Sequence, residues 1–187
     1  MRILFTGTHG AGKSTLVEAL AKLDEFKDYY ISTNLTRHLA KRGYKINQQG
    51  NAATQTAIMT VHRENAEREN LIADRCAIDC FCYTLYLIDN EKLDKEGMAF
   101  LQELTPEIER ICKKYDFVFY LTPEFPLTGD EIRPDSEQFQ LDIQRIFEET
   151  IPYFNEVIIP SKIIPISGTI EERVQQILEK IHADPSR

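Results

Sequence analysis

The chain has 187 residues, 42% of them hydrophobic and 28% charged, with a formal net charge of −8 and a pI near 5.1. This suits one compact domain of ordinary soluble composition, and no run approaches the ~18 apolar residues that a membrane span needs. The acidic balance disfavours broad affinity for a phosphate backbone, but not a small anion held by local donors.

Residues 2–6, RILFT, are a short apolar run ended by Gly7. They read as a buried strand and not as a signal peptide, since no small-residue cleavage site follows. Leu16, Val17, Leu20 and Leu23 then recur at helical spacing, with Glu18 and Lys22 outside. Residues 29–32 read as a second strand. Residues 35–42 read as a helix stopped by Gly43. A Gln/Asn/Gly-rich stretch at 47–51 precedes a long helix over about 52–70. The strand 71–75, LIADR, ends in charge, and a helix follows to about Ile88. A further helical region spans about 92–114. Within it Thr105-Pro106-Glu107 predicts a restart: a hydroxyl cap, proline in the first turn and an acid at the positive end. Residues 117–121, FVFYL, are the clearest strand. The proline- and acid-rich segment after it predicts a lid over about 122–138. Phe139, Ile143, Ile146 and Phe147 mark an amphipathic helix, 162–167 a strand, and 170–182 a helix burying Val174, Ile177 and Ile181. Strand and helix alternate about five times, with no internal repeat or dividing linker. The expectation is a single α/β domain over 1–187: a parallel sheet with helices on both faces and ligands at the strands' carboxyl ends.

The four cysteines, Cys76, Cys80, Cys82 and Cys112, have no zinc spacing. They read as reduced thiols filling a core, which points to a cytoplasmic protein, or the host cytoplasm for a viral one.

Chemistry enters with GTHGAGKST at 7–15. Glycine costs roughly 0.5–1 kcal/mol against alanine in regular structure, so three in six positions need a reason. Gly7-Thr8-His9-Gly10-Ala11-Gly12-Lys13-Ser14 fits G-x4-G-K-[ST] between a strand and a helix. In that setting successive backbone amides and the helix's positive end favour phosphate oxygens. A side chain at Gly12 would block the approach. Lys13 reaches the β- and γ-phosphates, Ser14 offers its hydroxyl to Mg2+, and Thr15 adds a phosphate contact. His9 fills a variable loop position.

No N-K-x-D-type base-reading signal follows Leu121, and no strand ends in adjacent acids. Instead Ala73-Asp74-Arg75-Cys76 ends a strand, placing Asp74 beside the loop. There a carboxylate can take a proton from an attacking hydroxyl or orient the metal's water, and Arg75 brings a planar fork suited to phosphate.

These residues resemble the Asp-Arg motif of the thymidylate-kinase and deoxynucleoside-kinase group of P-loop proteins. ADRCAIDCFCY, with Asp79 and Tyr83 a helical turn apart, is similar to the pattern of the ribosylnicotinamide-kinase-like AAA-type subgroup. Asn34-Leu35-Thr36-Arg37, followed by Arg42-Gly43, sits where that subgroup carries E-x-A-R…G, with Asn34 in place of the acid. Gly129-Asp130-Glu131-Ile132-Arg133 resembles its D-D-G-x-R segment, with Glu131 in place of glycine. The resemblance implies a three-layer P-loop NTPase sandwich, nucleoside monophosphate kinase-like, with a five-stranded parallel sheet and a lid. It implies transfer of the γ-phosphoryl group of ATP, with Mg2+, to a small nucleoside- or nucleotide-like acceptor. Lys13, Asp74, Arg75 and Arg133 would be catalytic, with Arg145 assisting. Ser14 and Asp74 would serve the metal. Gly168 and Thr169 would border the adenine. Arg37, Gln55, Arg63 and Asp79 would face the acceptor, the helix of Gln55 also carrying Met59 and His62. A kinase of a modified base in DNA, of phage type, and a nucleotide-dependent regulatory ATPase stay open as alternatives. A homodimer is compatible with the sequence.

Overall fold

A computed structural model describes residues 1–93, 97–124, 136–157 and 163–184. Among these, Arg2–Thr6 (β1), Tyr30–Ser32 (β2), Leu71–Ala73 (β3), Phe117–Leu121 (β4) and Ile163–Ile166 (β5) form one sheet in the order β2-β3-β1-β4-β5. Every pairing is parallel; Leu4 of β1, for example, stands opposite both Ala73 and Val118. The helices are Lys13–Leu20 (α1), Leu35–Lys41 (α2), Ala52–Ala66 (α3), Ala77–Asp89 (α4), Gly97–Cys112 (α5), Glu137–Val157 (α6) and Ile170–His182 (α7).

The period of two in the strands makes the layers. Ile3, Phe5, Ile72, Phe119 and Leu121 face Leu16, Val17 and Leu20 of α1 and Ile177 and Ile181 of α7. Leu4, Leu71, Ala73, Val118 and Tyr120 face the other way, onto Met59 of α3, Ile78 of α4, Ile108 of α5 and Phe147 of α6. β1 and β4 are apolar on both sides because helices cover both sides. The expected three-layer parallel architecture is therefore present. The cysteines are free and buried, as a core-filling role requires, and burial pushes the Cys80 thiol up to about 12. Among the described residues no helix is long and apolar enough to cross a membrane.

Three boundaries differ from expectation. The restart at Thr105 does not occur: α5 runs unbroken through Pro106. Proline removes the amide that would serve the Gln102 carbonyl, but Leu101, Ile108 and Ile111 are buried along the helix and keep it continuous. α3 stops at Ala66 and not near residue 70, with the Arg68 amide closing a turn on the Asn65 carbonyl. β3 stops at Ala73 because Arg75 adopts φ 148°, which ends the extended path.

Candidate active site

Parallel pairing collects the carboxyl ends of the strands along one edge. Gly7 follows β1 there. It has φ 132°, and a Cβ would lie 2.3 Å from the Leu121 carbonyl oxygen of β4. Backbone, not a flexible side chain, is in the way. Gly7→Ala is therefore expected to cost about 2–4 kcal/mol, read as a lower denaturant midpoint at unchanged slope. Gly12, at φ 85°, turns the chain into α1. Lys13 is only 5% exposed, and its ammonium donates to the carbonyls of Gly7 and Thr8, each at 2.7 Å.

β3 lies directly beside β1, so the residue after β3 meets the loop. That residue is Asp74. Its amide extends the ladder by donating to the Ser32 carbonyl at 2.9 Å, and its Oδ2 accepts the Ser14 hydroxyl. Burial raises the Asp74 carboxyl above the usual carboxylate range, against the opposing pull of Lys13 and Arg75 and the Ser14 bond.

Arg75 turns inward. Its Nη1 donates to Asp79 Oδ1 at 2.9 Å, and its guanidinium carbon lies 5.0 Å from the Tyr83 ring centroid. Burial opposes its charge, but Tyr83, Asp79 and Asp74 outweigh it and the pKa is pushed up. Asp79 is nearly inaccessible. Beyond Arg75, its Oδ2 accepts the Thr6 hydroxyl at 2.9 Å and the Cys76 amide at 3.0 Å. Asp79 thus holds Arg75 and caps α4, and it also lines an apolar cavity beside Arg75.

Two cavities meet at Arg75. The first, of about 630 Å³, is lined by His9 to Thr15, Asp74, Arg75, Asn34 and Arg37. The loop, the strand-end pair and Arg37 are thus brought together as expected. The second, of about 410 Å³, is walled by Leu35, Ile46, Ile58 and Tyr83, with Gln55 and Cys80 among its polar groups. Gln55 belongs to it, its Oε1 accepting the Cys80 thiol at 3.5 Å.

Arg63 does not. It points to the surface, where it grips Glu107 of α5 at 2.6 and 2.8 Å. The expectation for Arg63 is corrected on that geometry. Arg63→Ala is expected to change stability by less than about 1 kcal/mol, since half the side chain is solvated, and to leave nucleotide binding by calorimetry unaltered. Met59 and His62 share the buried side of α3 but line neither cavity, and burial lowers His62 to about 4. The buried His9 ring stacks on Phe139 with centroids 4.8 Å apart. Arg145 pairs with Glu149 at the surface. Gly168 and Thr169 follow β5 and open α7; neither lines these two cavities, Gly168 lines a separate one with Ser167 and Glu172, and Thr169 caps the helix. Arg133, with residues 125–135 of the expected lid, lies outside the described residues.

Three residues escaped sequence reasoning. Arg173 of α7 is fully buried, donating from Nη1 to the Ala11 carbonyl at 2.8 Å and facing Glu124 at 3.3 Å. Glu124 also accepts the Gly168 amide at 2.8 Å. Gln140 of α6 donates to the His9 carbonyl at 2.8 Å. The signal for Arg173 is its spacing: it continues the stripe of Ile177 and Ile181 at every fourth position.

Ser14 and Asp74 supply hard oxygens at the cleft, which suits Mg2+. This ion takes one or two protein ligands and completes its shell with phosphate and water. Among the described residues there is no cluster of three or more acids, histidines or cysteines able to cage a metal.

Solved structures share this fold. Deoxyadenosine kinase from M. mycoides, with the products dCMP and dCDP bound, superimposes with a TM-score of 0.68 at 15% identity over 98% of this chain and 100% of that one. Shikimate kinase from Acinetobacter baumannii in complex with shikimate gives 0.59 at 19%, covering 100% and 95%. NadR protein in complex with NR gives 0.69 at 15%, covering 99% of this chain but 52% of that one. No curated protein matches by sequence. At such identities the likeness establishes a fold shared with P-loop kinases. The sequence model of the AAA domain matches residues 2–173, nearly the whole chain and the phosphate loop with it, so the protein belongs to the AAA domain family.

Proposed function

We propose that the protein transfers the γ-phosphoryl group of ATP to a nucleoside- or nucleotide-like acceptor. One observation carries this reading: Arg75 lines both a polar, phosphate-loop cavity that also holds Asp74 and an adjoining apolar one. A switch needs only the first. A kinase needs both, with a carboxylate where the two substrates meet. The structural neighbours hold small molecules, the product dCMP, shikimate and NR.

The loop amides and Lys13 hold the donor's phosphates. Mg2+, held by Ser14 and by Asp74 directly or through its water, neutralises charge on the phosphates when bound. Asp74 accepts or orients the acceptor hydroxyl proton, and burial, by raising its pKa, makes it a stronger base than an exposed carboxylate. Where the acceptor group is itself a phosphate, no base is needed and Asp74 serves the metal. Arg75, held by Asp79, and Arg37, on the cleft wall, gather anionic charge as it moves between the cavities. Arg133 is assigned the same task from the lid.

The test is a labelled-ATP transfer screen over nucleosides, nucleoside monophosphates, nicotinamide riboside and DNA with modified bases. Label moving to a free nucleoside or nucleotide supports the proposal. Label moving only to DNA makes the protein a base kinase. Tight ATP binding with no transfer to any acceptor makes it a regulatory ATPase.

A further inference from the structure

The phosphate loop binds through its amides, and what sets the direction of an amide is the carbonyl on its other side. A trans peptide is planar, with C=O and N–H antiparallel. A donor that pins a carbonyl on the protein side therefore aims the next amide the opposite way. The carbonyls of Gly7 and Thr8 are taken by Lys13, and that of Gly12 by the Leu16 amide within α1. Those of His9 and Ala11 are held from outside. Gln140 donates to the His9 carbonyl at 2.8 Å, and Arg173 to the Ala11 carbonyl at 2.8 Å. Gly10 and Gly12, whose amides complete those two peptides, line the cleft; Gln140 and Arg173 do not.

We propose that Gln140 and Arg173 are positioning residues that orient the Gly10 and Gly12 amides toward the phosphates of the nucleotide. This rests on the phosphate-loop part of the proposed function and deepens it. Both side chains are buried and fixed. Gln140 is 8% exposed and its own carbonyl accepts the Thr8 hydroxyl at 3.4 Å, while Phe139 beside it stacks on His9. Arg173 is 0% exposed, and its charge faces Glu124. Two glycines free to rotate would otherwise lose their aim, because nothing in a glycine restricts its own peptide plane. The loop's flexibility is thus offset by two rigid contacts from helices that touch no nucleotide.

The experiment compares the wild type with Gln140→Met and Arg173→Met, by calorimetry with MgATP and by amide proton shifts of Gly10 and Gly12. In the wild type both amides move downfield when MgATP is added. Gln140→Met is expected to weaken MgATP by about 3–10-fold and to shrink the Gly10 response while sparing Gly12. Arg173→Met reverses that pattern. A merely structural role would lower the melting temperature with both amide responses intact in the folded fraction. That result, or wild-type affinity in Gln140→Met, overturns the assignment. Gln140→Met, which keeps length and burial, carries the test even where Arg173→Met fails to fold. The two readings fail separately. Binding without transfer sinks the phosphotransferase and leaves the positioning pair, whereas unchanged binding in Gln140→Met sinks the pair and leaves the transfer.

Discussion

Asp74→Asn lowers phosphoryl transfer by about 10²–10⁴-fold while weakening MgATP binding by less than about tenfold. The asymmetry follows from where the carboxylate stands. The donor's phosphates are bound by loop amides and Lys13, which this substitution leaves in place. Asparagine still accepts the Ser14 hydroxyl, so the loop keeps its geometry. What disappears is the capacity to take a proton or to order the metal's shell. Stability moves the other way. Burial raises the Asp74 pKa in the folded chain above its unfolded value, so the folded state binds that proton more tightly. The group's contribution to stability is complete below the unfolded pKa, near about 4, and is lost as pH rises from there through the folded pKa. At neutral pH the ionised carboxylate therefore costs stability, and Asp74→Asn melts higher than the wild type, with the gap closing as pH falls toward about 4. Turnover and melting temperature measured on the same preparation check both halves. A variant that transfers phosphate normally would remove Asp74 from the chemistry.

The phosphate loop was legible because its physics is local: glycines, lysine and hydroxyl stand at fixed offsets between a strand and a helix, and nothing distant is required. The strands were legible for a similar reason. Helices on both faces force near-continuous apolar runs such as 117–121, which no other element of that length explains. Residues whose role depends on a remote partner were not legible. Stepping from Gln55 at 100° per residue puts Met59 and His62 on its face and Arg63 about 80° away, on the rim. Only Glu107, 44 positions later, decides that Arg63 leaves the pocket. Arg173 was not singled out, although its spacing follows the buried stripe. Pro106 was read as a break because the sequence shows a missing amide but not the packing that keeps α5 continuous. Local rules report what a segment prefers, and these corrections come from contacts that outweigh the preference.

Asp79→Ala separates the two roles the carboxylate could have. As the holder of Arg75, its removal strands three donors at once: the Thr6 hydroxyl, the Cys76 amide and the guanidinium. Asp79 is 3% and Arg75 15% exposed along their side chains, so solvent screens the pair weakly. Breaking a buried pair from one side costs about 3–5 kcal/mol, chiefly the penalty of the orphaned charge. For a chain of this length each kcal/mol lowers the melting temperature by about 2–4 °C, so a drop of about 6–20 °C is expected. Arg75 also sits at φ 148°, a backbone conformation worth about 1–3 kcal/mol of strain for a residue with a side chain, and its release returns part of that loss. Its ion pair with Asp79 and its place over Tyr83 keep it there. Released, Arg75 relaxes away from the seam of the two cavities, and turnover falls along with stability. Arg75→Met in the same background supplies the control. It removes the stranded charge, so the double variant is expected to melt above Asp79→Ala, the sign of coupling that a cycle of single and double substitutions reads directly. An acceptor ligand would behave differently: Asp79→Ala would melt like the wild type, raise the acceptor KM and show no coupling to Arg75. That outcome would return Asp79 to the substrate.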